Sequence, residues 1–353
     1  MKMPVRIILI LLCAALIISL PFTVSAPNML SSVRNELEQN DEDDGEEIDF
    51  GRLFFAAACA EEAEEIYEDE DLDSGEVSED APRYILPLDF SPAPAPDPAL
   101  YTEDGYEDET ISVKIEHREM DDGTKMHIAY VQIADASQLR TNVAHPDDLT
   151  HAHPRLVTKM TSEANAVIAI GGDNYNQETQ KKSFEYRMTR KIRSKTNKVK
   201  DILIIDDQGD FHLFIKSQGI KEFPDQLNKQ GRKIVNAFTF GPALVKDGEL
   251  VQLDSGYGYN PGGREPRVAI GQTGPLSYVM VVIEVRSRDG KSGFSQHRLG
   301  EFMYELGCKQ AFNLDGGNSA IMVFGDQVIK GQPGGDERQL YDIVYFATAK
   351  PNT

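Results

Sequence analysis

Cysteine is scarce in this chain: 353 residues hold three, Cys13, Cys59 and Cys308, and only Cys308 lies in a stretch of core-forming composition. That stretch can therefore form no internal disulfide, even in a compartment that would allow one. Cys308 follows Gly307 beside apolar residues and reads as a small core side chain, not a nucleophile. A basic excess is also missing. The formal net charge is −22, which excludes the phosphate-neutralising surface of a nucleic-acid binder. Metal-ligand spacing is poor: His151-Ala-His153 has no third ligand at a convincing distance and Pro154 follows at once, so no metal is expected. No internal repeat and no sign of an organic cofactor is present.

The negative charge is unevenly distributed. Residues 1–110 carry 28 Asp and Glu against five Lys and Arg, whereas residues 111–353 carry 30 against 31. The acidity thus belongs to the front of the chain, and the near-neutral remainder is large enough for one domain with a proper core. Lys2 and Arg6 precede an apolar run, Ile7 to Leu20, and Val24-Ser25-Ala26 offers the small residues of a cleavage site. Residues 1–26 are therefore expected to be a signal peptide or, with residues 7–24 as the span, a membrane anchor. Either reading makes the protein extracytoplasmic, secreted or tethered to a membrane. Residues 27–110 are rich in Glu, Asp, Pro and Ser, too poor in apolar area to offset ordering entropy, and predict a disordered acidic tether. Within it, Ser91 to Pro98 reads as a stiff extended spacer.

Strand texture begins at residue 111. Ile111–Met120 and Lys125–Asp135 flank Asp121-Asp122-Gly123, a hairpin signal, and Asp207-Gln-Gly-Asp210 separates a second pair, Asp201–Asp206 and Phe211–Ile215. Tyr278–Val285 is almost unbroken apolar, the pattern of a strand covered on both faces. Leu156, Val157, Met160 and Ala164 predict one helix; Ser295 caps a second in which Leu299, Phe302, Met303 and Leu306 recur at helical spacing. Further strands are expected at 166–170, 311–314, 320–324 and 341–348. Residues 111–353 are therefore read as one α+β domain: a mixed β-sheet with a few packing helices.

Chemistry-bearing residues sit where strands meet glycine turns. Asn313-Leu-Asp-Gly-Gly-Asn-Ser319 presents Asp315, then Gly316 and Gly317, then Asn318 and Ser319. Asp315 there can serve as base or nucleophile, with glycine amides placed to hold a phosphate oxygen. Gly171-Gly172-Asp173-Asn174-Tyr175 forms a similar rim, making Gly172, Asp173 and Asn174 candidates beside Ser319. Arg264, Arg267 and Arg338 are the candidate phosphate-binding cations, because a guanidinium fork matches two non-bridging oxygens. Residues 181–200 hold nine Lys or Arg against Glu185; they read as a solvated hairpin, with a landing surface for an anionic polymer as the alternative.

Arg267-Val-Ala-Ile-Gly271, the helix with Leu299 and Phe302, Asn313 to Ser319 and Glu337-Arg338-Gln339 together resemble the phosphodiester glycosidase family, relatives of the mannose-6-phosphate uncovering enzyme. Ala166 to Tyr175 and Ala237 to Gly248 extend the resemblance over nearly all of residues 111–353. Two positions depart from the family pattern: Gly171 stands where Asn is usual, and Asn318 where a further Gly is usual. The resemblance implies hydrolysis of sugar-1-phosphodiesters, with a sugar-phosphate or phosphorylated glycan of an envelope or exopolysaccharide as substrate. It implies Asp315 as the base or nucleophile, with Ser319 and Asp173 behind it. Arg267, Arg338, Gly316, Gly317, Asn318, Gly172 and Asn174 are implied to bind the substrate. A binding module without catalysis and a phosphodiesterase attacking phosphorus are the alternatives.

Overall fold

The computed structural model describes residues 84–149, 153–173, 183–196, 200–253, 257–258, 260–287, 289–331, 334 and 336–350. They fall in one compact unit, Asp80–Thr353; the other unit, Met1–Glu79, lies outside the described residues. So do the expected signal or anchor at 1–26, residues 27–83 of the acidic segment, and Asn174 and His151. Among the described residues no helix is long and apolar enough to cross a membrane.

Three antiparallel sheets enclose a shared core. The largest has eight strands in the spatial order Gly105–Glu107, Ile111–Glu119, Lys125–Ile133, Ser277–Glu284, Arg267–Gly274, Gln310–Leu314, Ala243–Lys246, Glu249–Leu250. A second has five, ordered Phe211–Phe214, Ile202–Asp206, Ile234–Phe238, Phe184–Arg187, Arg190–Ser194. The third runs Gln327–Lys330, Ile321–Phe324, Ile168–Gly171, Asp342–Phe346, Leu139–Val143. The α+β class is as expected, but every described pairing is antiparallel, so the sheets are not mixed. The reason is visible in the third sheet. Leu139–Val143 and Ile168–Gly171, joined through a helix, do not pair with each other; Asp342–Phe346 lies between them, antiparallel to both.

Each sheet turns one face to the common core and the other to a single helix. Met280 and Val282 point inward with Val268, Ile270 and Phe312, while the alternate residues Val279, Val281 and Ile283 face outward. The helix Gln296–Glu305 covers that outer face through Leu299, Phe302 and Met303, with Ser295 accepting from the Arg298 amide as N-cap. Each such buried side chain contributes about 1.5–3 kcal/mol. Gly271 lets the end of this helix close down, since a Cβ there would lie 2.9 Å from Met303 Cε. Cys308 fills the same corner, and burial pushes its thiol up to about 12, consistent with a packing role. Val157–Glu163 backs the third sheet through Val157 and Met160, and Phe223–Lys229, absent from the sequence reading, backs the second through Leu227.

The domain starts earlier than residue 111. Leu86, Ala93 and Tyr106 are buried, and Gly105–Glu107 pairs with the strand that follows it. The proline-rich stretch lies along the domain as a strap. The Ala93 amide donates to Ala164 O at 3.2 Å, Asn165 Nδ2 donates to Ala93 O at 2.7 Å, and Arg140 Nη2 reaches Asp89 O at 2.6 Å and Ser91 O at 2.8 Å. An extended proline segment keeps its carbonyls free, and here buried donors from the sheet and helix take them up.

At the rim of the large sheet, His117 and His127 stand opposite each other with their Nδ1 atoms 2.7 Å apart. The far nitrogens face Asp104 at 3.2 Å and Glu284 at 3.0 Å. Burial holds His127 below the usual imidazole range, with Glu284 opposing and His117 reinforcing. A folded-state value below the unfolded one, about 6.5, means that the unfolded chain binds the proton more readily. The stabilising contribution is full above that pH and is lost as pH falls. Urea midpoints measured between neutral and mildly acidic pH are expected to decline less steeply in His127→Gln; identical slopes would refute this.

Candidate active site

The site assembles where the strand Ile168–Gly171 of the third sheet meets the strand Gln310–Leu314 of the large one. The Asp315 amide donates to Gly172 O at 3.1 Å, so the Asp-Gly-Gly and Gly-Gly-Asp turns, far apart in sequence, touch. Asp315 is half-buried at this junction. Both following glycines are required. A Cβ at Gly316 would sit 2.6 Å from Pro266 O, and Gly317 has φ +56°. Gly317 N donates to Pro266 O at 2.8 Å and Ser319 N to Gly316 O at 3.0 Å, closing a short 3-10 turn, Gly317–Ser319. The amides of Asp315, Gly317 and Ser319 are thus taken up by carbonyls. This corrects the expectation that the glycine amides as a set cradle a phosphate oxygen.

Below the junction lies a buried ionic network that the sequence reading missed. Arg187 is fully buried; its Nε reaches Asp342 Oδ2 at 2.8 Å and its Nη2 the same oxygen at 2.7 Å. Nη2 is also 3.4 Å from Asp173 Oδ2 and 3.9 Å from Glu185 Oε1, Nη1 donates to Tyr186 O and Ala237 O, and the guanidinium lies 4.2 Å from the Phe238 ring centroid. Gly172 exists for this network. A Cβ there would fall 2.6 Å from Asp342 Cγ and 2.7 Å from Oδ2, and the Asp173 amide donates to Asp342 Oδ1 at 3.0 Å.

Asp173 is itself 9 % exposed, and both its oxygens are engaged. Thr239 N donates to Oδ2 at 3.0 Å and Phe240 N to Oδ1 at 2.9 Å. Burial pushes its carboxyl up to about 7, with Arg187 pulling it down and Asp342 pushing the same way as burial. The geometry makes Asp173 a post that fixes the turn after the strand Ile234–Phe238. That turn contains the cis Gly241-Pro242 bond, and Asn313 Nδ2 holds it by donating to Gly241 O at 2.7 Å. Lys200, one of the nine basic residues at 181–200, and Tyr257, outside the sequence reading, gather on the same turn: Lys200 Nζ is 3.4 Å from Phe240 O, and Tyr257 OH donates there at 3.2 Å.

The remaining expected residues separate. Arg267 is buried directly under the Asp-Gly-Gly turn, with Nε on Phe294 O at 2.9 Å and Nη2 on Asn260 O at 2.9 Å and Gly263 O at 2.8 Å. Burial brings it down to about 10. Three carbonyls make it a clamp on the neighbouring loops, which accounts for its burial without a phosphate. Arg264 pairs with Asp122 away from the junction. Arg338 is exposed, and the adjacent Glu337 accepts from Thr158 N at 2.9 Å and Thr158 Oγ1 at 2.7 Å, capping the helix Val157–Glu163. Asn318 is exposed beside Asp315. Gly171 has a packing reason: a Cβ would meet Leu340 Cδ1 at 2.8 Å and Ser319 O at 3.3 Å.

Ser319 is 2 % exposed and its Oγ finds no hydrogen-bond partner among the described residues. A hydroxyl that gains nothing from its surroundings is cheap to remove. Ser319→Ala is expected to change the urea midpoint little and to retain turnover; a hundredfold loss of turnover with the fold intact would restore Ser319 to the chemistry.

Of the nine basic residues at 181–200, three described arginines make contacts that serve the fold. Arg187 is in the network, Arg193 pairs with Glu185, and Arg190 donates to Pro146 O at 3.0 Å. Phe184–Arg187 and Arg190–Ser194 form the hairpin that the sequence suggested.

The site is thus one half-buried carboxylate on a glycine turn, set against a second glycine turn over a buried ionic support, in an α+β domain of three large sheets and a two-stranded one. The model of the phosphodiester glycosidase family matches residues 164–347, more than half of the chain, and the chain belongs to that family. Among solved structures it is similar to the catalytic domain of zebrafish N-acetylglucosamine-1-phosphodiester alpha-N-acetylglucosaminidase, auto-inhibited by its pro-peptide. That likeness has TM-score 0.51 and 15% identity over 72% of this chain and 87% of that one, and it shows the fold. A hypothetical protein from Synechocystis matches with TM-score 0.49 and 15% identity over 67% of this chain; the match spans 62% of the Synechocystis protein. No curated protein matches the chain significantly.

Proposed function

We propose that this protein hydrolyses sugar-1-phosphodiesters by cleaving the bond between the anomeric carbon and the phosphate oxygen. The observation that carries the reading is the placement of Asp315: a half-buried carboxylate at the junction of two glycine turns, in a chain of the phosphodiester glycosidase family. In this reaction water supplies a hydroxyl to C1, and the C1–O bond breaks with its electron pair leaving on the phosphate oxygen. Phosphate leaves readily without a proton, so one carboxylate can suffice where ordinary glycosidases need two. Asp315 takes the water's proton or attacks C1 itself; exposed Arg338 and Asn318 stand as substrate contacts at the rim.

The substrate belongs, in this reading, to envelope or exopolysaccharide glycans, and the protein acts outside the cytoplasm. The support is Lys2, Arg6 and the apolar run from Ile7. The test of function is turnover of the full chain on a panel of sugar-1-phosphodiesters in water labelled with oxygen-18. Label in the released sugar supports attack at carbon. Label in the phosphate would make the protein a phosphodiesterase, and binding without turnover would make it a recognition module.

A further inference from the structure

The histidine pair of the large sheet has a geometry that stability alone does not explain. His117 and His127 are register partners on neighbouring antiparallel strands, so their side chains leave one face of the sheet side by side. Each ring turns one nitrogen to a carboxylate: His117 Nε2 faces Asp104 Oδ1 at 3.2 Å, and His127 Nε2 faces Glu284 Oε2 at 3.0 Å. A carboxylate only accepts, so the Nε2 atoms are the ones that carry hydrogen. A neutral imidazole has a single ring N–H, which leaves both Nδ1 atoms as bare lone pairs. These face each other at 2.7 Å, with the rings inclined at 74°. Facing lone pairs repel, and a cation between them converts the repulsion into two bonds.

The same arrangement serves metal binding. A ligating imidazole offers one nitrogen and donates the hydrogen of the other to a carboxylate, which fixes its tautomer and raises its basicity. Here the carboxylates come from separate elements, the loop before Gly105–Glu107 and the strand Ser277–Glu284. Four chain segments thus aim two nitrogens at one point. An ion bound at about 2.0–2.1 Å to each would hold them about 3.3 Å apart. Rotation about the soft terminal torsion of each ring supplies that opening without moving the strands. Lys125 stands 3.9 Å from Glu284 Oε1, the oxygen that does not face His127, and leaves the His127 contact in place.

We infer that His117 and His127 chelate a divalent transition-metal ion through their Nδ1 atoms, with water completing its coordination. Among the described residues no group of three or more His, Cys, Asp or Glu is placed to hold one ion, so the protein supplies two donors. Two imidazoles select the Zn²⁺, Ni²⁺ and Cu²⁺ class over Mg²⁺ and Ca²⁺, which demand oxygen. The His117 side chain is 40 % exposed and gives the ion its way in, while that of His127 is 10 % exposed. Sequence spacing, on which no metal is expected, does not reveal the pair, because its members lie ten residues apart across a hairpin. The inference is independent of the phosphodiester glycosidase reading.

The test titrates Zn²⁺, and Mg²⁺ in parallel, into the metal-stripped full chain by calorimetry. His117→Gln, His127→Gln and Asp104→Ala are titrated beside it, each checked for folding by urea denaturation. The wild type is expected to bind one more Zn²⁺ per chain than either histidine variant, and no Mg²⁺ at that site. Asp104→Ala should keep the site with about 10- to 100-fold weaker affinity. Should the more buried His127 prove necessary for folding, His117→Gln decides alone. Equal Zn²⁺ stoichiometry and affinity in the wild type and folded His117→Gln overturns the inference and leaves a shared proton between the rings.

Discussion

Replacing Arg187 by methionine is expected to remove most of the folding stability at neutral pH. The change keeps the volume roughly constant and the Phe238 contact largely apolar, so the effect reports charge. Without the guanidinium, Asp173 and Asp342 lose the cation they share in a buried space, while Glu185 retains Arg193. Removing one partner of a buried ion pair costs about 3–5 kcal/mol, and here more than one carboxylate is stranded. Against a total of about 5–15 kcal/mol, that is a majority of what a domain has. The pH dependence gives a second signature. Stranded carboxylates have folded-state values raised above their unfolded ones, so they stabilise the fold when protonated and destabilise it as pH rises. The variant should therefore regain ground on the wild type in mild acid. Urea denaturation at neutral pH and at about pH 5 checks both points; a neutral-pH loss below about 1 kcal/mol would mean that the network contributes little net stability. Arg187→Lys keeps the charge but not the Nε contact, and should fall between.

The parts of the site visible in the sequence were those where the backbone dictates the residue. Gly316 and Gly317 announce themselves because one must admit Pro266 O and the other must adopt a positive φ, and a turn so constrained places Asp315 without further help. Strand limits were legible for the same kind of reason: Ser277–Glu284 is apolar on both faces because core and helix lie on either side. The ionic support was not legible. Arg187 sits in a run of nine basic residues and looks like a surface side chain, and its partner Asp342 is 155 residues away. The one local sign is that Asp342 opens a strand whose other members are all apolar. The boundary placed at residue 111 erred for a related reason. Proline and acid composition signals extension correctly, but docking depends on Arg140 and Asn165, distant donors that composition cannot show. Gly171, which departs from the Asn usual in the family, packs against Leu340, whose Cδ1 lies where a side chain there would begin.

Asp315→Asn is expected to abolish turnover of a sugar-1-phosphodiester while leaving the protein folded and able to bind its substrate. The two side chains are nearly isosteric, and the backbone amide of residue 315 keeps its bond to Gly172 O, which the substitution does not touch. The glycine turn beneath depends on Gly316, Gly317 and Pro266 and is equally unaffected. What changes is proton affinity and nucleophilicity. An amide neither accepts the water's proton nor attacks C1, and loss of a positioned acid–base group costs about 10²- to 10⁴-fold in rate. Because the contribution is realised at the transition state, kcat and kcat/KM should fall together with KM little altered. A variant that instead raises KM at constant kcat would place Asp315 in ground-state binding alone. That outcome would move the chemistry to another group of the junction. Asp173 is ill placed to inherit it, since Thr239 and Phe240 amides already occupy both of its oxygens.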